Sequence, residues 1–222
     1  MDFATARRAM VDGQVRTSDV TNLAIIAAMA EVPREAFVPP AQAPFAYLDR
    51  DVPIAGAAGS AGARWLIKPM VLARLLQAAD PRPGNRTLVI GAGTGYSAAV
   101  LARLGGEVTA VEEDPSLFEH ARSALSSTAS LNVNVIRGQL THGAPESAPY
   151  DVILVDGGVE TVPDGLCAQL SPRGRLLAVE VRGPVGRAKL FQAVNGRWSA
   201  RELFDASAPV LPGFRIAPAF VF

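Results

Sequence analysis

Residues 91–96 read Gly-Ala-Gly-Thr-Gly-Tyr, directly after the apolar run Thr87–Ile90 and directly before a helix-forming stretch. Glycines there let a chain turn sharply from strand to helix and let a ligand come close to the backbone. The unpaired N–H groups of a helix start favour a negative group by about 0.3–1 kcal/mol, and by up to about 2 kcal/mol when partly buried. Glu112 closes the run Glu107–Val111, about twenty residues beyond the loop, the place from which an acid grips ribose hydroxyls. Charged hydrogen bonds of that kind contribute roughly 1.5–3 kcal/mol each. Asp156 follows the apolar run Asp151–Val155, at the strand end where open α/β sheets hold ligands. Each feature has a plainer alternative. The loop is then a turn without a ligand, Glu113 and Asp114 are surface charge or a helix cap, and Asp156 is a solvated loop acid.

Two ligands suit such a loop. A dinucleotide wants a third glycine where this chain has Tyr96. The G-x-G-x-G spacing is instead similar to the S-adenosylmethionine loop, which accommodates an amino-acid portion and a ribose. Other chemistry has little material. There is no G-x-S-x-G and no P-loop lysine. His120 and His142 read as surface residues, Cys167 as a small core residue, and Trp65 and Trp198 as packing residues. Two histidines and one cysteine leave no metal site to expect and no disulfide framework.

The elements around these residues alternate. Residues 3–15 and 20–31 have helical spacing, with Ser18 or Thr21 as candidate caps for the second and Pro33 as its stop. Residues 37–64 are rich in Pro, Gly and Ala and read as one irregular segment, its tip Gly56–Gly62 mobile. Segments of that length in a compact domain are usually functional or disordered. Pro69 opens a helix to about Ala79. Strands are expected at 87–90, 107–111, 132–136, 151–155 and 175–181. Helices are expected at 96–104, 116–126 (begun at Asp114-Pro115) and 164–170, the last capped by Thr161 or Asp164. Continuous apolar strands alternating with helices mean a parallel sheet covered on both faces. Asn195-Gly196 between Lys189–Val194 and Arg197–Phe204 is a hairpin signal, because both turn residues need positive φ. The apolar end, Pro218–Phe222, reads as an edge strand or a dimer contact.

The 222 residues suit one compact domain, with residues 1–80 as N-terminal helices and substrate-side loop packed on a core of residues 81–222. Lys+Arg 21 balances Asp+Glu 21, which argues against nucleic acid or a membrane surface held by bulk charge. The start, with its early acid, is not a signal peptide, and no run reaches the roughly 18 apolar residues of a membrane span. The expectation is a cytoplasmic protein, monomeric or weakly homodimeric.

Several stretches, in order, resemble the protein-L-isoaspartate O-methyltransferases. They are VPREAFVP at Val32–Pro39, KPMVLARLL from Lys68, GAGTGYSAAVLARL from Gly91, VEED from Val111, and the long run Tyr150–Val179. The resemblance implies a class I methyltransferase-like Rossmann fold, α/β, with a mostly parallel sheet, a C-terminal antiparallel hairpin and N-terminal helices. It also implies S-adenosyl-L-methionine as cofactor and an isoaspartyl-containing protein or peptide as acceptor. Methylation of the isoaspartyl carboxylate lets a succinimide form and the normal linkage be regained. The implied cofactor-binding set is Gly91, Ala92, Gly93, Thr94, Gly95, Glu112, Glu113, Gln139 and Leu140. On the substrate side lie Trp65, Ile67 and Asp156. A carboxylate is already nucleophilic and a sulfonium methyl already activated, so alignment suffices, and positioning supplies roughly 7–11 kcal/mol.

The chain departs from the family pattern at three places. The family's Gln-Thr-Ile-Ser run is here Arg64-Trp65-Leu66-Ile67, so the serine position is Ile67 and no catalytic residue is assigned. The acid two places before the glycine loop is Val89, a change that costs roughly 1–3 kcal/mol of cofactor binding. The adenine-contacting Gly-Asp-Gly is Gly138-Gln139-Leu140. Two alternatives follow: methyl transfer to a more apolar small-molecule acceptor, or a non-catalytic member whose cleft is filled by side chains, with Trp65 the candidate plug.

Overall fold

The computed structural model describes residues 2–56, 62–183, 185–194 and 197–216. Helix α1 (Phe3–Met10) starts under the Asp2 carboxylate, which accepts the N–H groups of Ala4 and Thr5. The helical path continues through a wider turn at Val11–Val15 and a tight one at Arg16–Ser18, and left-handed Asp19 ends it. Helix α2 (Leu23–Glu31) is capped by Asn22, not by Ser18 or Thr21. The Asn22 side chain accepts from Ala24 and Ile25, while Gln77 of helix α3 (Pro69–Ala79) accepts the N–H groups of Thr21 and Asn22 and so fixes the entry.

Residues 37–64 are not one irregular segment. They carry the end of the 3-10 turn Arg34–Phe37, a second 3-10 turn at Pro40–Phe45, and strand β1 (Val52–Ala55), which pairs antiparallel with β2 (Arg64–Leu66). The strands were hidden because each is too short to show a period of two. Most of the expected tip, residues 57–61, lies outside the described residues, as do the Asn195-Gly196 turn and Pro218–Phe222.

The central sheet has seven strands: β3 (Arg86–Ile90), β4 (Glu107–Glu112), β5 (Val133–Arg137), β6 (Tyr150–Val159), β7 (Leu170–Arg182), β8 (Val185–Val194) and β9 (Arg197–Asp205). Their spatial order is β5-β4-β3-β6-β7-β8-β9. The first five are parallel, and β8 and β9 add antiparallel, as the alternation and the hairpin signal predict. Helix α4 (Tyr96–Arg103) follows β3, and α5 (Pro115–Ser127) follows β4 with Asp114 accepting from Ser116 and Leu117. Helix α6 is only Asp164–Cys167, shorter than expected because β7 already begins at Leu170, and neither Thr161 nor Asp164 caps it.

The pleat sorts the core. Val89 packs with the N-terminal helices and α4 on one face, while Leu88 and Ile90 pack with Leu166, Cys167 and Leu211 on the other. Chain order reverses between β3 and its neighbours β4 and β6, and their carboxyl ends are where such sheets hold ligands.

Candidate functional site

The loop Gly91–Gly95 leaves β3 at that reversal point. Gly91, Gly93 and Gly95 all have positive φ, 73°, 56° and 98°, which explains glycine at each. The loop is tied to the N-terminal segment by the Thr94 hydroxyl, which donates to the Phe37 carbonyl at 2.5 Å. Gly93 N–H donates to the Glu112 carboxylate at 2.8 Å, so loop and acid meet as their spacing suggests. Glu112 also accepts the N–H groups of Glu113 and Asp114 at 3.0 Å.

Its remaining capacity goes to the protein itself. Arg64 at the start of β2 donates to both Glu112 oxygens, at 2.6 and 2.8 Å, and the two side chains are 4% and 0% exposed. A bidentate guanidinium–carboxylate pair out of water is among the strongest polar contacts a protein makes. The glycines are covered in the same way. A Cβ on Gly91 would lie 2.8 Å from a Leu211 methyl and 3.4 Å from Arg64 Nη2. On Gly93 it would meet the Ile54 Cδ1 at 2.7 Å, and on Gly157 the Leu211 Cγ at 2.6 Å. The close approach that the glycines permit is therefore made by Arg64, Ile54 and Leu211.

Beneath the loop lies a buried polar group. Arg34 is wholly buried; its Nε and Nη2 donate to the carbonyls of Ala46 and Ile67 at 2.8 Å, and its guanidinium lies 4.7 Å over the Tyr96 ring. Asp156 accepts from Ser97 at 2.5 Å. Arg34 Nη1, the Tyr96 hydroxyl and Asp156 Oδ1 have no hydrogen-bond partner. Burial pushes the Asp156 carboxyl up to about 6, against the opposing pull of Ser97, Arg34 and Arg64. Burial likewise raises the Tyr96 hydroxyl and lowers the Arg34 guanidinium.

Asp156 lies inside β6, not past its end, because β6 runs on to Val159 through an irregularity between Leu154 and Gly158. Trp65 sits half-buried on β2 opposite Pro53, and Ile67 is buried. Both line, with Ala63, Asp156 and Val210, a residual cavity of about 10 Å³, roughly room for one water. The plug is thus Arg64 with Ile54 and Leu211, and not Trp65. Gln139 is exposed and its carbonyl accepts from His142 N–H; Leu140 is buried in the apolar core, and Glu113 is half-buried. Val89 is also fully buried in apolar surroundings, so the family's acid has no counterpart nearby on that strand. A larger hollow of about 680 Å³ opens between Glu160, Arg182 and Arg215, lined by none of the glycine-loop residues.

Sequence reasoning missed Arg34, Ile54, Arg64, Ser97 and Leu211. Only Arg64 carried a signal, as the cation that closes the Gly- and Ala-rich run Gly56–Ala63.

With this geometry in hand, comparison with known proteins is specific. The model of the Protein-L-isoaspartate(D-aspartate) O-methyltransferase family matches residues 5–199. A protein-L-isoaspartate O-methyltransferase of Methylorubrum extorquens (strain PA1) is 42% identical over 215 residues, covering 96% of this chain and 91% of that one. A solved protein-L-isoaspartate O-methyltransferase superimposes with a TM-score of 0.80 at 26% identity, over 93% of this chain and 66% of that one. A candidate enzyme of the same kind from Plasmodium falciparum, solved in complex with S-adenosyl-L-homocysteine, shares the fold with a TM-score of 0.77 at 18% identity, over 92% of this chain and 97% of that one. The chain belongs to the protein-L-isoaspartate O-methyltransferase family, whose members are S-adenosylmethionine-dependent methyltransferases.

Proposed function

We propose that this protein transfers the S-adenosylmethionine methyl group to the side-chain carboxylate of isoaspartyl residues in damaged proteins or peptides, a repair reaction. The observation that carries the reading is the Glu112 carboxylate held against the Gly93 N–H at the carboxyl ends of β3 and β4. That pairing sets a carboxylate, the group that accepts sugar hydroxyls, against the glycine loop at the start of α4, the arrangement a nucleoside with an amino-acid tail requires.

The donor set fits this cofactor in kind, but the space does not. Arg64 takes the Glu112 oxygens, and Leu211 and Ile54 lie against the glycines. As folded here, the crevice does not admit the nucleoside. What the chain's own residues do is positional. Arg34 holds the Ile67 carbonyl and so the wall beside Asp156, while Ser97 fixes the Asp156 carboxyl. Methylation of a carboxylate needs no general base, so a site without a histidine is adequate to it. The reading includes a cytoplasmic location and a monomer or weak homodimer. Among the described residues no helix is long and apolar enough to cross a membrane.

A second reading has its own observation. Where the family pattern has hydroxyls, Trp65 and Ile67 form, with Val210 and Leu211, an apolar wall. That wall suits an apolar carboxylic acid. One assay separates the two: methyl-labelled S-adenosylmethionine with an isoaspartyl peptide, the matching aspartyl peptide, and a panel of apolar acids. Base-labile label in the isoaspartyl peptide alone is expected. Label only in the apolar acids moves the acceptor to the second reading, and label in no acceptor removes the activity.

A further inference from the structure

Glu112 accepts five N–H groups, three from the backbone of Gly93, Glu113 and Asp114 and two from Arg64. The backbone donors are local to the strand end and the loop, so they stay whatever enters the crevice. The Arg64 pair is different. It comes from β2, 48 residues away in the chain, and it saturates the carboxylate face on which a ribose diol would sit. The same hairpin carries Ile54, whose methyl lies over Gly93. Strands β1 and β2 pair only with each other and are separate from the seven-stranded sheet. Val52 and Leu66 pair at the end of the hairpin away from its connecting loop, while Ile54 and Arg64, also buried, lie toward the loop end. One displacement of that end clears both side chains at once. From the other side, Leu211 fills the gap between Gly91 and Gly157.

We propose that Arg64 is an internal stand-in for the nucleoside, holding Glu112 and, with Ile54 and Leu211, keeping the crevice shut until the end of the β1–β2 hairpin moves away. This deepens the reading given above and rests on it, since it takes the crevice to be the S-adenosylmethionine site. A neutral diol competes poorly with a bidentate guanidinium for one buried carboxylate, because the guanidinium brings a full opposite charge and two parallel donors, and removing it leaves the buried carboxylate without a counter-charge. The open form is thus a minority, and apparent affinity for the nucleoside falls in proportion to its population. Arg64 is a gatekeeping residue in this scheme: it touches the nucleoside's place and leaves it when the nucleoside arrives.

The test is calorimetric binding of S-adenosylhomocysteine to the full chain, wild type beside R64A. In R64A the Glu112 carboxylate keeps its three backbone donors, which favours a folded variant. The expected result is at least tenfold tighter binding by R64A, about 1.4 kcal/mol. Equal affinity, or weaker binding by R64A, overturns the stand-in and leaves the cofactor reading intact. Binding by neither protein overturns both. Should R64A fail to fold, L211A leaves the ion pair in place and opens the crevice from the other side. At least threefold tighter binding by L211A supports the closed crevice, and unchanged affinity overturns it.

Discussion

At the scale of single residues, the polar group under the glycine loop leaves three buried atoms without a hydrogen-bond partner, on Arg34, Tyr96 and Asp156. Asp156 is buried, has one strong donor in Ser97, and leaves Oδ1 without a partner. Its carboxyl, pushed by burial from 3.8 up to about 6, binds a proton more tightly in the folded chain than in the unfolded one. The folded state therefore gains from this group at acid pH and loses that gain as pH rises from about 4 to about 6. Above that window the ionised carboxylate costs about 3 kcal/mol, at 1.36 kcal/mol per pH unit. D156N, which still accepts from Ser97, should be more stable than wild type at pH 7 by an amount of that order. The advantage should disappear near pH 4. Urea unfolding at the two pH values measures it, and a pH-independent difference would show that folding leaves the Asp156 carboxyl unshifted. The acid at 156 was legible in the chain because it ends an apolar run. Its partners were not, since Ser97 lies 59 residues away.

At the scale of elements, the parallel strands and their helices were readable because they are long, periodic and punctuated. Asp114-Pro115 announces α5, and the Asp114 side chain does cap it. D114A should cost about 1 kcal/mol, the usual loss of an N-cap acceptor. Gly95 is a stricter case. It stands at the start of α4 with φ 98°, and a Cβ there would lie 3.1 Å from Leu125 of α5. G95A should cost about 1–3 kcal/mol through backbone strain alone, with the contact adding to it. Thermal unfolding of the two variants ranks them, and G95A as mild as D114A would argue that the loop relaxes freely. The β1–β2 hairpin was not readable. Its strands are four and three residues long and sit among prolines and glycines, so neither period nor composition marks them.

At the scale of the whole molecule, one sheet separates two apolar clusters, and the chain's only cysteine lies deep in one of them. Burial pushes the Cys167 thiol up to about 11, so little thiolate forms near neutral pH in the folded protein. At pH 8 a disulfide reagent should react with Cys167 only as fast as the molecule unfolds, and denaturant should accelerate the reaction in step with loss of helix signal. Rapid labelling of the native protein would place α6 in a locally open state. The order of strands, the loop after β3 and the acid after β4 follow from local pattern, since strand length, helix spacing and glycine at positive φ are short-range requirements of the backbone. Whether the crevice between them is open is not a local property. It depends on Arg64 reaching Glu112 across 48 residues, and on Leu211 meeting Gly91 and Gly157 from the far end of the chain. Such contacts leave no periodic trace in the residues that make them, because they are selected by packing in three dimensions, and only the folded chain brings them together.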